Sequence, residues 1–302
     1  MVKSSSAAPN RISVSTDLIL NILFVLISLS CVLPLILIVS VSFTDESTTA
    51  AEGFKFIPSR VSLDAYRYLM LQSAEIIRAY GVTILVTVVG TILSLIVIAM
   101  FAYPLSRKDF KYRQTFAFIV FFTLVFHGGM VPWYIVCTQV LHLQNTVWAF
   151  ILPYAFNGWY VMIMRTYFTL SIPDAVIESA KIDGAGEYRI FLSIIIRLSL
   201  PALATIGLFS AIVYWNDWWL PLMLIHDDKI LNIQYLLYKV QSNADFLSSA
   251  RGQMLTNAIE LSPPSQTLRM ALAVICIGPI VLAYPFFQKY FVQGLTVGAV
   301  KG

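Results

Sequence analysis

Three stretches of at least 26 residues contain no Asp, Glu, Lys or Arg, and each is longer than one membrane crossing requires. They are Leu18 to Phe43, Ala79 to Ser106 and Gln114 to Met164. An α-helix rises 1.5 Å per residue, so about 20 apolar residues cross the roughly 30 Å hydrocarbon core of a bilayer. The chain is also 58% hydrophobic, which gives more apolar surface than a soluble domain of 302 residues needs to bury. The sequence therefore predicts helices that cross a membrane.

Six runs qualify as membrane spans once the longest uncharged stretch, Gln114 to Met164, is divided at its polar segment, Thr138 to Asn145. The predicted spans are Leu18–Phe43, Ala79–Ser106, two helices within Gln114–Met164, Leu198–Ile225 and Met270–Gln288. We therefore predict an all-α integral membrane fold with six transmembrane helices. Residues 1–16 are expected to form an N-terminal tail, and residues 17–302 a single transmembrane domain.

Basic residues in short loops predict the side of the membrane, because lysine and arginine near span ends resist translocation. The loop "RKDFKYR", Arg107 to Arg113, holds four basic residues, whereas Thr138 to Asn145 holds none. The first loop is therefore predicted to be cytoplasmic. An even number of spans then places both termini on the cytoplasmic side, together with the loop between spans four and five.

The loop between spans four and five collects seven charged residues from Asp174 to Arg197, although only 12% of the chain is charged. Ser171 and Pro173, with an acid after them, have the order of a helix start: a hydroxyl cap and proline in the first turn. This helix is predicted to end at Gly184, because glycine adopts the left-handed conformation that closes helices. Glu187 then begins a second helix, so the loop is predicted to be a helix–turn–helix elbow.

Three explanations for this charged elbow remain open on physical grounds. Small residues along its first helix would let a partner's backbone approach while the charges set the register, which suits a docking element. A second explanation is a helix lying on the membrane surface, although such helices favour basic over acidic residues on their polar face. The third is a solvated connector without a partner.

Polar residues inside the predicted spans are the candidates for a solute path, because such groups are costly in lipid and usually face a cavity or a partner helix. In "YWNDWWLP", Trp215, Asn216 and Asp217 place an amide and a carboxylate beside indole rings, a combination that suits a sugar. Tryptophans also form interfacial belts, so an interfacial or helix-packing role is the alternative. Asn157 and His127 are further path candidates, and His127 with its two following glycines also fits a packing or kink feature.

The sequence contains no motif for catalysis or for binding a cofactor. A phosphate-cradling glycine loop and a nucleophile elbow are both absent, so the chain cannot itself hydrolyse ATP. Its three histidines and three cysteines share no metal-ligand spacing. We therefore predict no catalytic residue, no metal site and no nucleic-acid partner. An ion-coupled secondary transporter of a polar solute is the alternative function, although it needs coupling acids or broken helices in both halves.

The segment "ESAKIDGAGEYRIFLSIIIRLSLP", from Glu178 to Pro201, resembles the EAA loop of permease subunits in bacterial ATP-binding cassette importers. Glu178, Ser179 and Ala180 occupy the three positions that name the loop, and Gly184 follows at the family's spacing. Other segments, including "GGMVPWYIV", "YWNDWWLPLML" and "FVQGLTVGAVKG", resemble the carbohydrate-importing, maltose-type class. The resemblance extends from the first span to the C-terminus.

This resemblance implies a transport subunit with a defined set of partners. We expect a second permease, forming a heterodimer with this chain, and two cytoplasmic ATPase subunits that bind ATP and Mg²⁺, while this chain binds no cofactor. An extracytoplasmic sugar-binding protein would deliver the substrate, expected to be an oligosaccharide. The complex would lie among the lipids of the bacterial inner membrane and import by alternating access.

The resemblance also implies that the elbow, about residues 169–200, is a coupling loop that docks on the ATPase. The implied docking residues are Glu178, Ser179, Ala180, Asp183, Gly184 and Pro201. Glu178 is expected to form a charge pair with the ATPase, while Ala180 and Gly184 permit close contact. Two residues depart from the family pattern: Ser179 replaces an alanine, and Arg197 replaces a proline. Without that proline the second helix is expected to continue unbroken toward the membrane.

Overall fold

The structure is a computed structural model that describes residues 14–71, 73–248 and 266–281. These residues are mostly helical and contain no β-strand; one isolated antiparallel bridge joins Thr44 and Val61. The helices are α1 (Val14–Ser42), α2 (Glu46–Glu52), α3 (Asp64–Leu71), α4 (Ser73–Ser106), α5 (Arg113–Val125), α6 (Met130–Val140), α7 (Trp148–Ala155), α8 (Gly158–Ser171), α9 (Asp174–Ile182), α10 (Glu187–Leu198), α11 (Leu200–Trp215), α12 (Trp219–Leu224), α13 (Ile233–Ser248) and α14 (Gln266–Val281). α6 and α10 each contain one π-helical turn.

The chain divides into two compact units. The first comprises Met1–Leu71 with Pro264–Val274, and the second comprises Gln72–Pro263 with Ile275–Gly302. The prediction of a single domain over 17–302 stays a prediction. The N-terminal tail up to residue 13 and the segment after residue 281, which includes the end of the sixth predicted span, lie outside the described residues.

In the first unit, α1 is uncharged and mostly apolar after Asp17, and its side chains are exposed along most of its length. A helix of this kind is suited to lipid or to another membrane helix. Ser62 Oγ accepts a hydrogen bond from the Asp64 N–H at the start of α3. The carboxylate of Glu46 accepts bonds from the backbone N–H groups of Gln266 and Thr267, and so caps the start of α14.

In the second unit, the long helix α4 packs against α7, α8 and α11. α4 and α11 approach closely because Gly90 and Gly207 lack side chains at their contact. A Cβ on Gly90 would lie 2.6 Å from the Tyr214 ring, whereas a Cβ on Gly207 would lie 3.2 Å from a Leu95 methyl group. Tyr214 is fully buried, and its hydroxyl donates to the Ile151 carbonyl at 3.0 Å. Two apolar clusters form the core of this unit, one around Tyr214 and one that continues to α9 and α10.

Only part of the predicted span pattern consists of straight helices. α1 and α4 each contain a continuous apolar helix long enough to cross a membrane, and two bent pairs are further candidates. α5 and α6 meet at 113° across His127–Gly129, and α10 and α11 meet at 79° across Ser199. Each of the predicted spans three, four and five contains a break: Gly129 has φ 90°, Asn157 starts a new helix and 216–218 interrupt the fifth span. The bend at Gly129 agrees with the kink that the glycines after His127 indicated. The count of six spans stays a prediction.

The elbow differs from its prediction at the start of α9 and at the end of α10. Ser171 does not cap α9, because it is the last residue of α8 and Pro173 occupies the N-cap position without a side-chain cap. The helix end is confirmed: α9 stops at Ile182, and Gly184 has φ 77°. The expectation of an unbroken helix past Arg197 is wrong. Pro201 lacks the backbone N–H that would bond to the Arg197 carbonyl, so this one proline is enough to end α10.

Candidate functional site

The elbow of α9 and α10 has one buried face and one exposed face. Ile177 and Ala180 are buried on the inner face of α9, where they join the apolar cluster formed with α4, α8 and α10. Glu178, Ser179 and Ile182 are exposed. Glu178 has no ion-pair or hydrogen-bond partner among the described residues, so its carboxylate is available to another molecule.

Two of the predicted docking residues therefore have internal roles in this chain. Ala180 is small where α9 packs against the core, and its carbonyl accepts a hydrogen bond from the Ala185 N–H at 2.9 Å. Gly184 supplies the left-handed backbone that lets the chain turn into α10. Asp183 is exposed at the end of α9, and Pro201 lies in the first turn of α11, beyond the bend. The structure therefore leaves Glu178, Ser179 and Asp183 as the outward-facing members of the predicted set.

Exposed apolar side chains on the elbow were missed from the sequence. Ile182 is 86% exposed and Tyr188 is 84% exposed, on opposite sides of the glycine turn. A large apolar side chain in this setting is a typical anchor of a protein interface. Helix periodicity was the available signal, because Ile182 lies one turn after the exposed Glu178 on α9.

Charged residues hold α9 to the loop between α4 and α5. We call this group the charge clamp; its members are Arg107, Lys108, Asp109, Asp174 and Lys181. The Asp174 carboxylate contacts Lys108 Nζ at 2.9 Å and Arg107 at 3.4 Å. At the other end of α9, Lys181 Nζ contacts Asp109 at 3.0 Å. Lys181 also contacts Glu187 on α10 at 2.8 Å.

The charge clamp shifts the pKa values of its own members in the direction that keeps them charged. The hydrogen bond from Lys181 lowers the pKa of Asp109 below 3.8, and that from Lys108 does the same for Asp174. Hydrogen bonds to Glu187 and then to Asp109 raise the pKa of Lys181 above 10.5. The acids lose their contribution as pH falls through their lowered pKa values, and Lys181 loses its contribution as pH rises through its raised pKa. The clamp is therefore intact across neutral pH.

A cavity of about 710 Å³ opens between α5, α6, α7, α8, α11 and α12. Two predicted path residues line it, His127 and Asn157. His127 Nδ1 accepts from the Gly129 N–H at 3.2 Å, and Asn157 Oδ1 caps α8 by accepting from the Trp159 N–H at 2.9 Å. Both side chains are therefore used at helix breaks, and both breaks open into the cavity.

Aromatic rings dominate the cavity wall. The aromatic lining residues are Trp133, Tyr154, Phe156, Tyr160, Tyr214 and Trp219. Trp133 and Trp219 contact each other with centroids 4.7 Å apart. Rings interspersed with an amide, an imidazole and hydroxyl groups suit a sugar, whose apolar faces stack on rings while its hydroxyls form hydrogen bonds. These aromatic residues were not among the predicted path residues, although the stretches that contain them are rich in Trp and Tyr.

Comparison with protein-family models matches residues 114–297 to the family described as binding-protein-dependent transport system inner membrane component. This chain belongs to that family. The matched region contains both the charged elbow and the cavity. The chain is therefore a membrane subunit of a transport system, and the alternative of an ion-coupled secondary transporter is not supported.

Curated relatives extend the family assignment to nearly the whole chain. The permease is 39% identical over 287 residues to the polygalacturonan/rhamnogalacturonan transport system permease protein YtcP of Bacillus subtilis, covering 95% of this chain and 98% of the relative. It is 30% identical to the arabinooligosaccharides transport system permease protein AraQ of Halalkalibacterium halodurans, covering 94% and 96%. A crystal structure of a bacterial ABC transporter for import of the acidic polysaccharide alginate matches with TM-score 0.78 and 30% identity, covering 93% of this chain and 99% of that one. The permease therefore has an ABC importer fold.

Asp217 of this permease lies behind the cavity wall rather than in it. Its side chain is buried, with 6% exposed, and Oδ1 accepts hydrogen bonds from the Trp219 and Leu220 N–H groups at 3.1 and 3.2 Å. The Tyr154 hydroxyl donates to the same oxygen at 3.2 Å. Asp217 thus caps α12 and orients one lining residue of the cavity. An effect of Asp217 on the solute path would therefore act through Tyr154, which lines the cavity.

The other two predicted residues of this group also bond to the protein itself. Trp215 Nε1 donates to the Cys276 carbonyl at 3.3 Å, and Asn216 Nδ2 donates to the Ile212 carbonyl at 3.0 Å. Neither lines the cavity. The sequence therefore predicted a polar cluster where the structure has a capped helix break, and the path role of these residues stays a prediction.

Proposed function

We propose that this permease imports an oligosaccharide by alternating access, driven by ATPase subunits that dock on the exposed face of α9. The observation that carries this proposal is the two-sided elbow, whose inner face is held by the chain itself. Within the part of the chain that the structure describes, Glu178 has no ion-pair or hydrogen-bond partner, and Ile182 is exposed one turn away. An unpaired acid beside an apolar anchor is suited to a protein partner, and the family supplies one with a motor function. Docking on this face would let nucleotide binding move the membrane helices.

The charge clamp supports a cytoplasmic position for both loops. Arg107 and Asp109 contact α9 directly, so the basic loop and the elbow lie on one side of the membrane. The basic residues of that loop favour the cytoplasmic side. We propose six spans, with both termini in the cytoplasm and the elbow as the EAA coupling loop.

The expected partners follow from the same proposal. They are a second permease forming a heterodimer, two ATPase subunits that bind ATP and Mg²⁺, and an extracytoplasmic sugar-binding protein. The relatives are named for polygalacturonan or rhamnogalacturonan, arabinooligosaccharides and alginate, and the aromatic cavity fits sugar rings. We therefore propose that sugars pass the cavity wall on their way through the complex.

Reversing the charge of Glu178 tests the docking claim. In Glu178→Lys, the docking surface carries a cation opposite the basic group expected on the ATPase, so the pair becomes repulsive. Loss of such a charge pair costs about 2–5 kcal/mol, which corresponds to a loss of affinity for the ATPase of about thirtyfold or more. We expect the variant permease to stay in the membrane and to recover at least about tenfold less ATPase on co-purification.

The matched control is Asp64→Lys, which makes the same charge change on α3, a helix that lies between the first two predicted spans and not in the elbow. This control is expected to recover ATPase as the natural chain does. Equal recovery of ATPase by Glu178→Lys and the control would contradict docking at Glu178. A permease that purifies without any ATPase, even in its natural form, would contradict the proposed function as a whole.

A further inference from the structure

The charge clamp attaches α9 to the α4–α5 loop at two separate points. Asp174 is the first residue of α9 and Lys181 lies in its last turn. Seven residues separate them, which is about 10 Å along a helix. The partners of both residues, Arg107 and Asp109, lie two residues apart just after the end of α4. The short loop therefore spans the length of α9.

Two attachment points constrain a helix in a way that one cannot. A single ion pair is a pivot about which α9 could turn. With a second pair about two turns away, and with Ile177 and Ala180 buried between them, the direction of the α9 axis is fixed relative to the end of α4. Exposed ion pairs contribute little to stability by themselves, so the clamp is better suited to setting an orientation than to holding the fold together.

The clamp is also connected to α4 and α10 beyond the loop. Glu187, which begins α10, contacts Lys181 with one carboxylate oxygen and accepts from the Tyr103 hydroxyl with the other at 2.6 Å. Tyr103 lies in the last two turns of α4. The Arg107 side chain is only 14% exposed and contacts both Asp109 and Asp174. The connection from α9 to α4 is therefore a closed chain of charged and polar contacts.

We propose that the charge clamp is the element that transmits a displacement of α9 to α4, and through α4 to the wall of the aromatic cavity. α4 packs against α7, α8 and α11, which carry the cavity-lining residues Tyr154, Tyr160 and Tyr214. The residues of the clamp are positioning residues, which act by making α9 and α4 move together. This inference rests on the proposed function, because the displacement of α9 comes from the docked ATPase.

The test uses the assembled complex and a reporter in the cavity. In a Cys31→Ser background, Val213→Cys places a single reporter thiol at the cavity wall, and its rate of modification by a water-soluble methanethiosulfonate is measured with and without ATP, Mg²⁺ and vanadate. In the natural background, trapped nucleotide is expected to change this rate. Asp109→Lys replaces an attraction to Lys181 by a repulsion, and we expect the nucleotide-dependent change to fall by about fivefold or more. Asp109→Glu keeps the charge and is expected to retain most of the nucleotide-dependent change in modification rate. The control Asp64→Lys is expected to retain the full change.

A second variant restores the link without charge. This variant carries Asp109→Cys and Lys181→Cys with Cys31→Ser and without the reporter cysteine, and a short bifunctional thiol reagent joins the loop to α9. ATP-driven uptake by the assembled complex is expected to be lost before crosslinking and recovered after it. Full response of Asp109→Lys, or no recovery after crosslinking, would overturn the inference while leaving ATPase docking and the proposed function in place. Absence of any nucleotide response in the natural chain would instead contradict the proposed function, and this inference with it.

Discussion

Gly184 and Gly186 differ in backbone conformation although both lie in the turn of the elbow. Gly184 has φ 77°, whereas Gly186 has φ −72°, and an added Cβ meets no atom within 4 Å at either position. Steric crowding by neighbours is therefore excluded as a cause, and only the backbone distinguishes them. The pair isolates the effect of a left-handed conformation.

We expect Gly184→Ala to destabilise the elbow by about 1–2 kcal/mol, because an L-residue in the left-handed region is strained. Gly186→Ala is expected to cost only a few tenths of a kcal/mol, and Gly184→Asn less than Gly184→Ala, because Asn tolerates this region. Thermal unfolding of the purified permease measures the difference. Equal melting temperatures for the two alanine variants would show that Gly184 is not held in this conformation.

Asp217 offers a separate test of a residue that the sequence suggested for the path. Asp217→Ala removes the cap of α12 and the bond from Tyr154, so we expect a loss of about 1 kcal/mol in stability and slower uptake. Asp217→Asn keeps an oxygen that accepts the same N–H bonds and is expected to transport nearly as the natural chain does. Uptake rate and thermal stability are measured together. Lost uptake in Asp217→Asn at unchanged stability would assign the charge itself to the path.

At the level of helices, the close contact of α4 and α11 depends on two glycines with unequal surroundings. Gly90 faces the Tyr214 ring, which cannot move without losing its bonds to Ser94 and to the Ile151 carbonyl. Gly207 faces the end of the flexible Leu95 side chain. The first contact is rigid and the second can yield.

We therefore expect Gly90→Ala to destabilise the permease by about 1–3 kcal/mol, the usual cost of overpacking a core. Gly207→Ala is expected to cost less, because Leu95 can shift its methyl group by a few tenths of an ångström. The measurement is the melting temperature of each variant in detergent, with membrane yield as a second readout. A larger effect at Gly207 than at Gly90 would contradict this packing.

Apolar composition predicted where helices occur but not where they break. The run from Gln114 to Met164 is continuously uncharged, so hydropathy alone cannot detect the bends at Gly129 and Asn157. Local signals were present. The two glycines after His127 indicated a kink as an alternative to a path role, since glycine permits positive φ, whereas the capping preference of Asn157 was not used. Asp217 also caps a helix, but from the sequence it was interpreted as a charge within a membrane span. Helix breaks that carry function thus require cap and turn chemistry in addition to hydropathy.

The contacts that relate distant loops could not be predicted from the sequence. Arg107 and Asp174 are 67 residues apart, and their ion pair depends on the packing of α4, α8 and α9. A second connection of this kind joins Asn145 to the segment after α12: its side-chain oxygen accepts from the His226 and Asp227 N–H groups at 2.6 and 3.1 Å. The loop after α6 and the segment after α12 therefore lie together, as the basic loop and the elbow do. These two pairings divide the loops of the molecule into two groups.

The two groups of loops are predicted to lie on opposite sides of the membrane, and single cysteines can test this. Lys111 is exposed in the basic loop and Gln144 is exposed in the uncharged loop. In a Cys31→Ser background, where Cys137 and Cys276 are buried, Gln144→Cys should react with an impermeant maleimide in right-side-out vesicles, whereas Lys111→Cys should react only after permeabilisation. Glu178→Cys serves as the control for the elbow and should match Lys111→Cys, because the charge clamp holds the two loops together. Labelling of Glu178→Cys in sealed vesicles would place α9 on the external side, away from any cytoplasmic ATPase. That result would contradict the transport mechanism proposed for this permease, independently of which sugar it imports.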